Sequence, residues 1–133
     1  MAKDANFSNV SLLLHCDGAN GSTAVIDSSQ YAHAVTVFGG AAISTASMLF
    51  GKPSLLFDGA GDYCVLQDTT ALELGSGNLT IEFQIKTTQT SAYACPIGRD
   101  NASFVPGAWA ILLNGPASGA VELTEMSSGR PMM

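Results

Sequence analysis

The sequence predicts an all-β fold of the sandwich or barrel type, on three observations. No stretch keeps an apolar period of 3.6 residues over three turns, because Gly, Ser and Thr interrupt every candidate helix. Apolar and polar residues instead alternate with period two in several short runs. Turn signals recur about every ten residues, the spacing of sandwiches and barrels.

Taken along the chain, residues 10–15 form the first expected strand, with Val10, Leu12 and Leu14 inward against Ser11, Leu13 and His15. Residues 34–38 and 53–57 are compact β-branched or Leu/Phe runs bounded by Gly pairs and Asp-Gly. Residues 63–66 follow a Gly-Ala-Gly turn, and residues 70–74 supply one helical turn. The clearest alternation lies at 79–87: Leu79, Ile81, Phe83 and Ile85 share one face, while Thr80, Glu82, Gln84 and Lys86 share the other. Residues 92–97, 108–113 and 120–124 complete the expected strands. In 108–113 both faces are apolar, with Trp109, Ile111 and Leu113 on one side and Ala108, Ala110 and Leu112 on the other. Such a strand is expected to be covered twice.

Residues 28–51 contain no Asp, Glu, Lys or Arg. Val35, Val37, Phe38, Ile43 and Phe50 give this stretch core material, so it reads either as an interface segment or as a solvent loop rich in Ser and Ala.

Composition narrows the function. The 133 residues suit a single domain: an N-terminal arm at 1–9, a domain at 10–125 and a tail at 126–133. Charged residues make up 12%, where an ordinary domain carries about 25%. Hydrophobic residues reach 47%, yet the longest apolar run is far below the ~20 residues needed to cross a bilayer, so no membrane span is expected. A net charge of −6 with five basic residues argues against a nucleic-acid partner. Low charge with high apolar content points to surface covered by another protein chain. The N-terminus has no apolar signal region. Cys16, Cys64 and Cys95 have neither zinc nor disulfide-framework spacing, and read as small buried hydrophobes made in a reducing cytoplasm.

Four blocks carry a family likeness: Leu12-Leu-Leu-His-Cys-Asp-Gly18, Ile26-Asp-Ser-Ser-Gln-Tyr-Ala-His33, Phe50-Gly-Lys-Pro-Ser-Leu-Leu-Phe-Asp-Gly-Ala-Gly-Asp-Tyr63 and Gly75-Ser-Gly-Asn-Leu-Thr-Ile-Glu-Phe83. In this order, over roughly residues 10–113, the chain resembles the concanavalin A-like lectin/glucanase superfamily, in its laminin-G-like branch. The resemblance implies a jelly-roll β-sandwich of two antiparallel sheets, of a kind common in phage virion proteins and in extracellular multidomain proteins. The chain departs from the family pattern at Gln84, where Trp is usual nearby, and at Cys16 and Cys64, where aromatic or aliphatic residues are usual. Family members continue for several strands beyond the length of this chain. The expectation is therefore a truncated jelly roll or one completed by strands of a neighbouring chain.

The same resemblance supplies candidate ligands. Calcium is held in many superfamily members, and Asp17, Asp58 and Asp62 are the candidates here, the last two brought together by a Gly turn. Each also has the simpler role of an Asp in a turn. A glycan site would use Tyr63 beside Asp62, with Tyr31 and Tyr93 as the other exposed-ring candidates. The glucanases of the superfamily carry paired carboxylates on one strand, whereas the corresponding stretch here has Glu82 alone, so no enzyme is expected. His15 and His33 read as structural hydrogen-bonding residues. The expected protein is thus a structural component of a virion made in the host cytoplasm, a capsid decoration or fibre-associated chain without a cofactor. It would contact other virion proteins or copies of itself, with a trimer favoured, through Leu79, Ile81, Phe83, Trp109 and Leu112. The alternative is a lectin-like module for host-surface glycans.

Overall fold

The computed structural model describes residues 5–67, 70–73, 78–88, 94–99, 108–113 and 121–126. It is all-β, built from small antiparallel sheets, and its contacts divide into two compact units, Met1–Ala71 and Leu72–Met133. Residues 1–4 of the expected arm, residues 127–133 of the expected tail and Tyr93 lie outside the described residues.

In the first unit, a 3-10 turn at Phe7–Asn9 leads into residues 10–15. These form no strand but a single bridge, Leu14 to Asp27. The reason is local competition for the ladder. Ser28 N–H still reaches Leu13 O at 2.8 Å, but Leu13 N–H is taken by the Asp27 side chain at 3.0 Å rather than by a backbone carbonyl.

Four strands follow: β1 (Val35–Phe38), β2 (Ala42–Leu49), β3 (Lys52–Leu56) and β4 (Tyr63–Leu66). β2 and β3 form a hairpin nested between β1 and β4, which pair with each other. In the β1–β4 pair Val35 faces Leu66 and Val37 faces Cys64, half-buried on one face, while Phe38 faces Tyr63 on the exposed one. The hairpin turn is Phe50-Gly51, with φ of 51° and 75°. Positive φ at both positions is the type I′ geometry, which matches strand twist but favours Asn-Gly. A Phe there is strained by about 1–2 kcal/mol, and its ring is 93% exposed.

β2 was not expected as a strand; its run of Ala, Ser and Thr resembles a loop. Pairing on both sides makes it one. Ile43 sits opposite Leu55 in the hairpin, while its outer edge exchanges Gly21 N–H to Ile43 O and Ile43 N–H to Ser22 O, both at 2.8 Å. Asn20 extends this seal by accepting from Thr45 N–H at 3.0 Å. The register slips between Ser44 and Leu49, and the Ser54 hydroxyl donates to Ser47 O at 2.7 Å within the slip. Ile43, together with Val25 and Ala41, is the buried apolar centre of this unit.

In the second unit β5 (Ala94–Arg99), β6 (Ala108–Leu113) and β7 (Val121–Met126) form one antiparallel sheet with β6 central. Pro96 lies where β5 shifts register, on an edge strand that tolerates a missing donor. Gly98 packs so close to β6 that a Cβ would stand 2.9 Å from Trp109 O. Trp109, Ala110 and Ile111 are all buried, so successive residues on opposite faces are both covered, as the sequence implies. The Trp109 indole N–H donates to Leu72 O at 3.1 Å, at the end of the 3-10 turn Thr70–Leu72.

Residues 79–87 correct the strongest sequence expectation: residues 78–88 form no strand. Leu79, Phe83 and Ile85 are exposed and only Ile81 is half-buried. Alternation supplies a strand with two faces but not with a neighbour, and a strand exists only when another backbone pairs with it.

Relief of the turn strain is measurable. Phe50→Asn is expected to raise the stability of the dilute chain by about 1 kcal/mol, read from the midpoint of a urea titration. An unchanged or lower midpoint would count against the left-handed backbone at this position.

Candidate functional site

Among the described residues the most heavily connected side chain is that of Asp27, which is fully buried. Its Oδ1 accepts from Ser29 N–H at 2.8 Å and Leu13 N–H at 3.0 Å. Its Oδ2 accepts from the Ser29 hydroxyl at 2.8 Å, His33 N–H at 2.9 Å and the His33 imidazole Nδ1 at 2.7 Å. Burial alone would raise the carboxyl pKa, but the backbone donors of Ser29, Leu13 and His33 and the imidazole outweigh it. They hold the group well below the usual carboxylate range. Tyr31 stacks on the His33 ring at 5.5 Å.

Ser29, Asp27 and His33 are the residue types of a hydrolytic triad without its geometry. Both the hydroxyl and the imidazole donate to the same Asp27 oxygen. A nucleophile needs its hydroxyl bonded to the imidazole. This arrangement ties segments together. Sequence reading placed His33 as a structural hydrogen bonder, and passed over Asp27. The available signal was that Asp27 is the lone acid between Gly18 and Gly51, followed by Ser-Ser in a turn pattern.

A second cluster lies where the β1–β2 turn meets the β3–β4 loop. Asp62 Oδ1 accepts from Gly40 N–H at 2.5 Å, and Asp62 Oδ2 accepts from Asp58 N–H. Asp58 Oδ1 accepts from Ala60 N–H at 2.7 Å. The Asp58 backbone donor is the main reason that the Asp62 pKa is lowered, with burial opposing and the Gly40 N–H, the Asp58 side chain and the Ala41 N–H adding to it. Gly39, with φ of 72°, admits this approach because a Cβ would stand 2.3 Å from Asp62 Oδ1.

The structure thus brings Asp58 and Asp62 together, as the Gly turn implies. Backbone N–H groups donate to both Asp62 oxygens and to Asp58 Oδ1. Among the described residues no group of three or more His, Cys, Asp or Glu side chains is placed to hold a metal ion. Asp17 pairs with Lys52 Nζ at 3.9 Å, an exposed contact of little energetic weight. Tyr63, beside Asp62, is exposed and stacks on Phe38 with ring centroids 4.7 Å apart and planes within 13°.

Burial raises the thiol pKa of Cys16 and of Cys64. The Asp17 charge adds to it for Cys16, against a Leu55 backbone hydrogen bond that lowers it. For Cys64 the other thiol and Asp62 add to it. Both remain neutral and half-buried, in keeping with small apolar residues. Cys95 differs from that reading: it is exposed, on edge strand β5. His15 and Glu82 are exposed. Of the expected contact residues, Leu79 and Phe83 are exposed, Ile81 is half-buried, Trp109 is buried within its own chain, and the Leu112 side chain lies outside the described residues.

Comparison with known proteins finds no matching family model, no matching curated protein and no matching solved structure.

The Asp27 network sets an acid limit. Its folded pKa lies below the unfolded value of about 3.9. Its contribution is therefore complete above that value and is lost as pH falls below it. Asp27→Asn keeps the shape but sets amide hydrogens against the His33 donors. The variant is expected to lose about 3–5 kcal/mol at pH 7 and to show a flatter acid limb in a stability–pH series. A wild-type acid limb retained in the variant would exclude Asp27 as its source.

Proposed function

We propose that this chain is a non-enzymatic structural component of a phage particle, a capsid decoration or fibre-associated protein that works through protein–protein contact. Its small sheets are parts of a jelly-roll sandwich that neighbouring chains complete. The observation that carries this reading is the exposure of large apolar side chains around the β2–β3 hairpin. Met48, Leu49, Phe50, Leu56 and Phe57 all face solvent in the single chain. Burying each against a partner contributes about 1.5–3 kcal/mol, and isolated soluble chains rarely display so many together. The 12% charged content agrees, since a covered surface needs little charge. The partners are other virion proteins or further copies of this chain.

The test is sedimentation of the purified chain over a wide concentration range, with Phe50→Ser as the probe of the apolar hairpin. Self-association, or capture on purified particles, that is weakened at least tenfold by the variant is the expected outcome. A well-folded monomer that binds neither itself nor a particle would refute the reading.

A second reading is favoured by the Phe38–Tyr63 pair, two stacked exposed rings beside Asp62. Aromatic faces next to a carboxylate are the ingredients of a glycan site. A glycan array on which Tyr63→Ala abolishes a wild-type signal would support it, and a blank array with and without calcium would remove it.

A further inference from the structure

We propose that Asn20 is a latent modification site, converted to isoaspartate when the Asn20-Gly21 segment that seals the outer edge of β2 lets go. The conversion then keeps that edge open, so the pair acts as a one-way device. The inference goes beyond the protein-contact reading and does not depend on it.

The chemistry is that of an asparagine followed by glycine. The Gly21 backbone nitrogen, giving up its proton, attacks Cγ of Asn20. A ring N–Cγ bond forms, and the side-chain nitrogen takes up a proton and leaves as ammonia. Water then opens the cyclic imide at either carbonyl. One product is aspartate, and the other is an isoaspartate whose main chain runs through the side-chain carbon. Glycine suits the step because no Cβ hinders its nitrogen. The sequence holds two such pairs, 20–21 and 114–115, and the second lies outside the described residues.

The structure builds both reacting atoms into a latch. Ser22 N–H donates to Ala19 O at 3.0 Å, Gly21 has φ of 80° and Asn20 keeps a negative φ, which is type II turn geometry. The Gly21 N–H is committed to Ile43 O at 2.8 Å. Asn20 Oδ1 accepts from Thr45 N–H at 3.0 Å and from the Thr45 hydroxyl at 3.2 Å. Closing the ring requires the peptide plane between residues 20 and 21 to rotate out of this turn, which breaks the bonds to Ile43 and Ala19. Packing adds little to the latch. A Cβ placed on Gly21 would meet no atom within 4 Å, and both residues are exposed. Water therefore reaches the pair, and a local opening frees it without unfolding the unit.

The product does not close again. Isoaspartate inserts one carbon into the main chain, so Gly21 N–H and Ser22 O no longer meet Ile43 together. The Ile43 N–H loses its acceptor, Ser22 O at 2.8 Å, and Ile43 O loses its donor. Because Ile43 is only 1% exposed, the loss reaches the apolar centre of the first unit and leaves β2 with an open edge.

The test follows Asn20 in the full-length chain, folded and in urea, in mildly alkaline buffer. Peptide mass spectrometry reads the conversion, and an isoaspartate-specific methyltransferase identifies the product. The chain in urea is expected to convert readily, and the folded chain about thirtyfold more slowly. The isoaspartate form, separated by anion exchange, is expected to lose at least about tenfold in amide-exchange protection at Ile43. N20D, which keeps the acceptor oxygen and the main-chain length, retains that protection. Equal rates in the folded and unfolded chain overturn the latch, and an Asn20 that stays intact in urea overturns the site. An isoaspartate form as well protected at Ile43 as the wild type overturns the one-way opening.

Discussion

A carboxylate taken out of water has to recover its lost hydration from protein donors, and the first unit is arranged around one that does. Asp27 collects donors from residues 13, 29 and 33, before, beside and after it in the chain. Residue 33 lies two positions ahead of β1, so the network holds the chain just before that strand. An unpaired charge at this depth would cost several kcal/mol. The surrounding conformation is therefore conditional on all five donors being in place together.

The rest of the unit extends the same logic to the backbone. Gly21 and Ser22 close the outer edge of β2 at Ile43, and Asp62 receives the N–H groups of Gly40 and Asp58 at the loop crossing. Among the described residues no buried side-chain nitrogen or oxygen lacks a hydrogen-bond partner. Apolar surface is treated differently. Phe50, Ile26, Met48 and Leu56 remain in water although the polar groups near them are satisfied. Hydrogen bonds can be completed within one short chain, because each needs a single neighbour at about 2.9 Å. Covering a large apolar side chain needs a second layer. The imbalance between the two is what the proposal of a covering by neighbouring chains rests on.

Much of the local structure was legible in the sequence. The strand at 63–66 and the twice-covered strand at 108–113 coincide with β4 and β6, and the expected runs at 34–38 and 53–57 lie within a residue of β1 and β3. Those runs are bounded by Gly and Asp-Gly turns and filled with β-branched or aromatic residues, signals that act over a few positions. β2 was hidden because Ser, Thr and Ala mimic a loop until Leu55 on one side and Ser22 on the other make it a strand. The site was legible in part. The Gly turn announced the meeting of Asp58 with Asp62, but Asp27 gave only the sign of a lone acid, since its donors come from residues distant in sequence.

Sequence by itself determined where the chain turns, which runs can extend, and which face of each is apolar. These properties belong to each residue and its nearest neighbours. Tertiary structure alone decided which strands pair, which carboxylate is buried, and that the best alternating segment, 79–87, forms no strand within its own chain. Pairing and burial depend on what a distant part of the molecule, or a second molecule, brings to the other side.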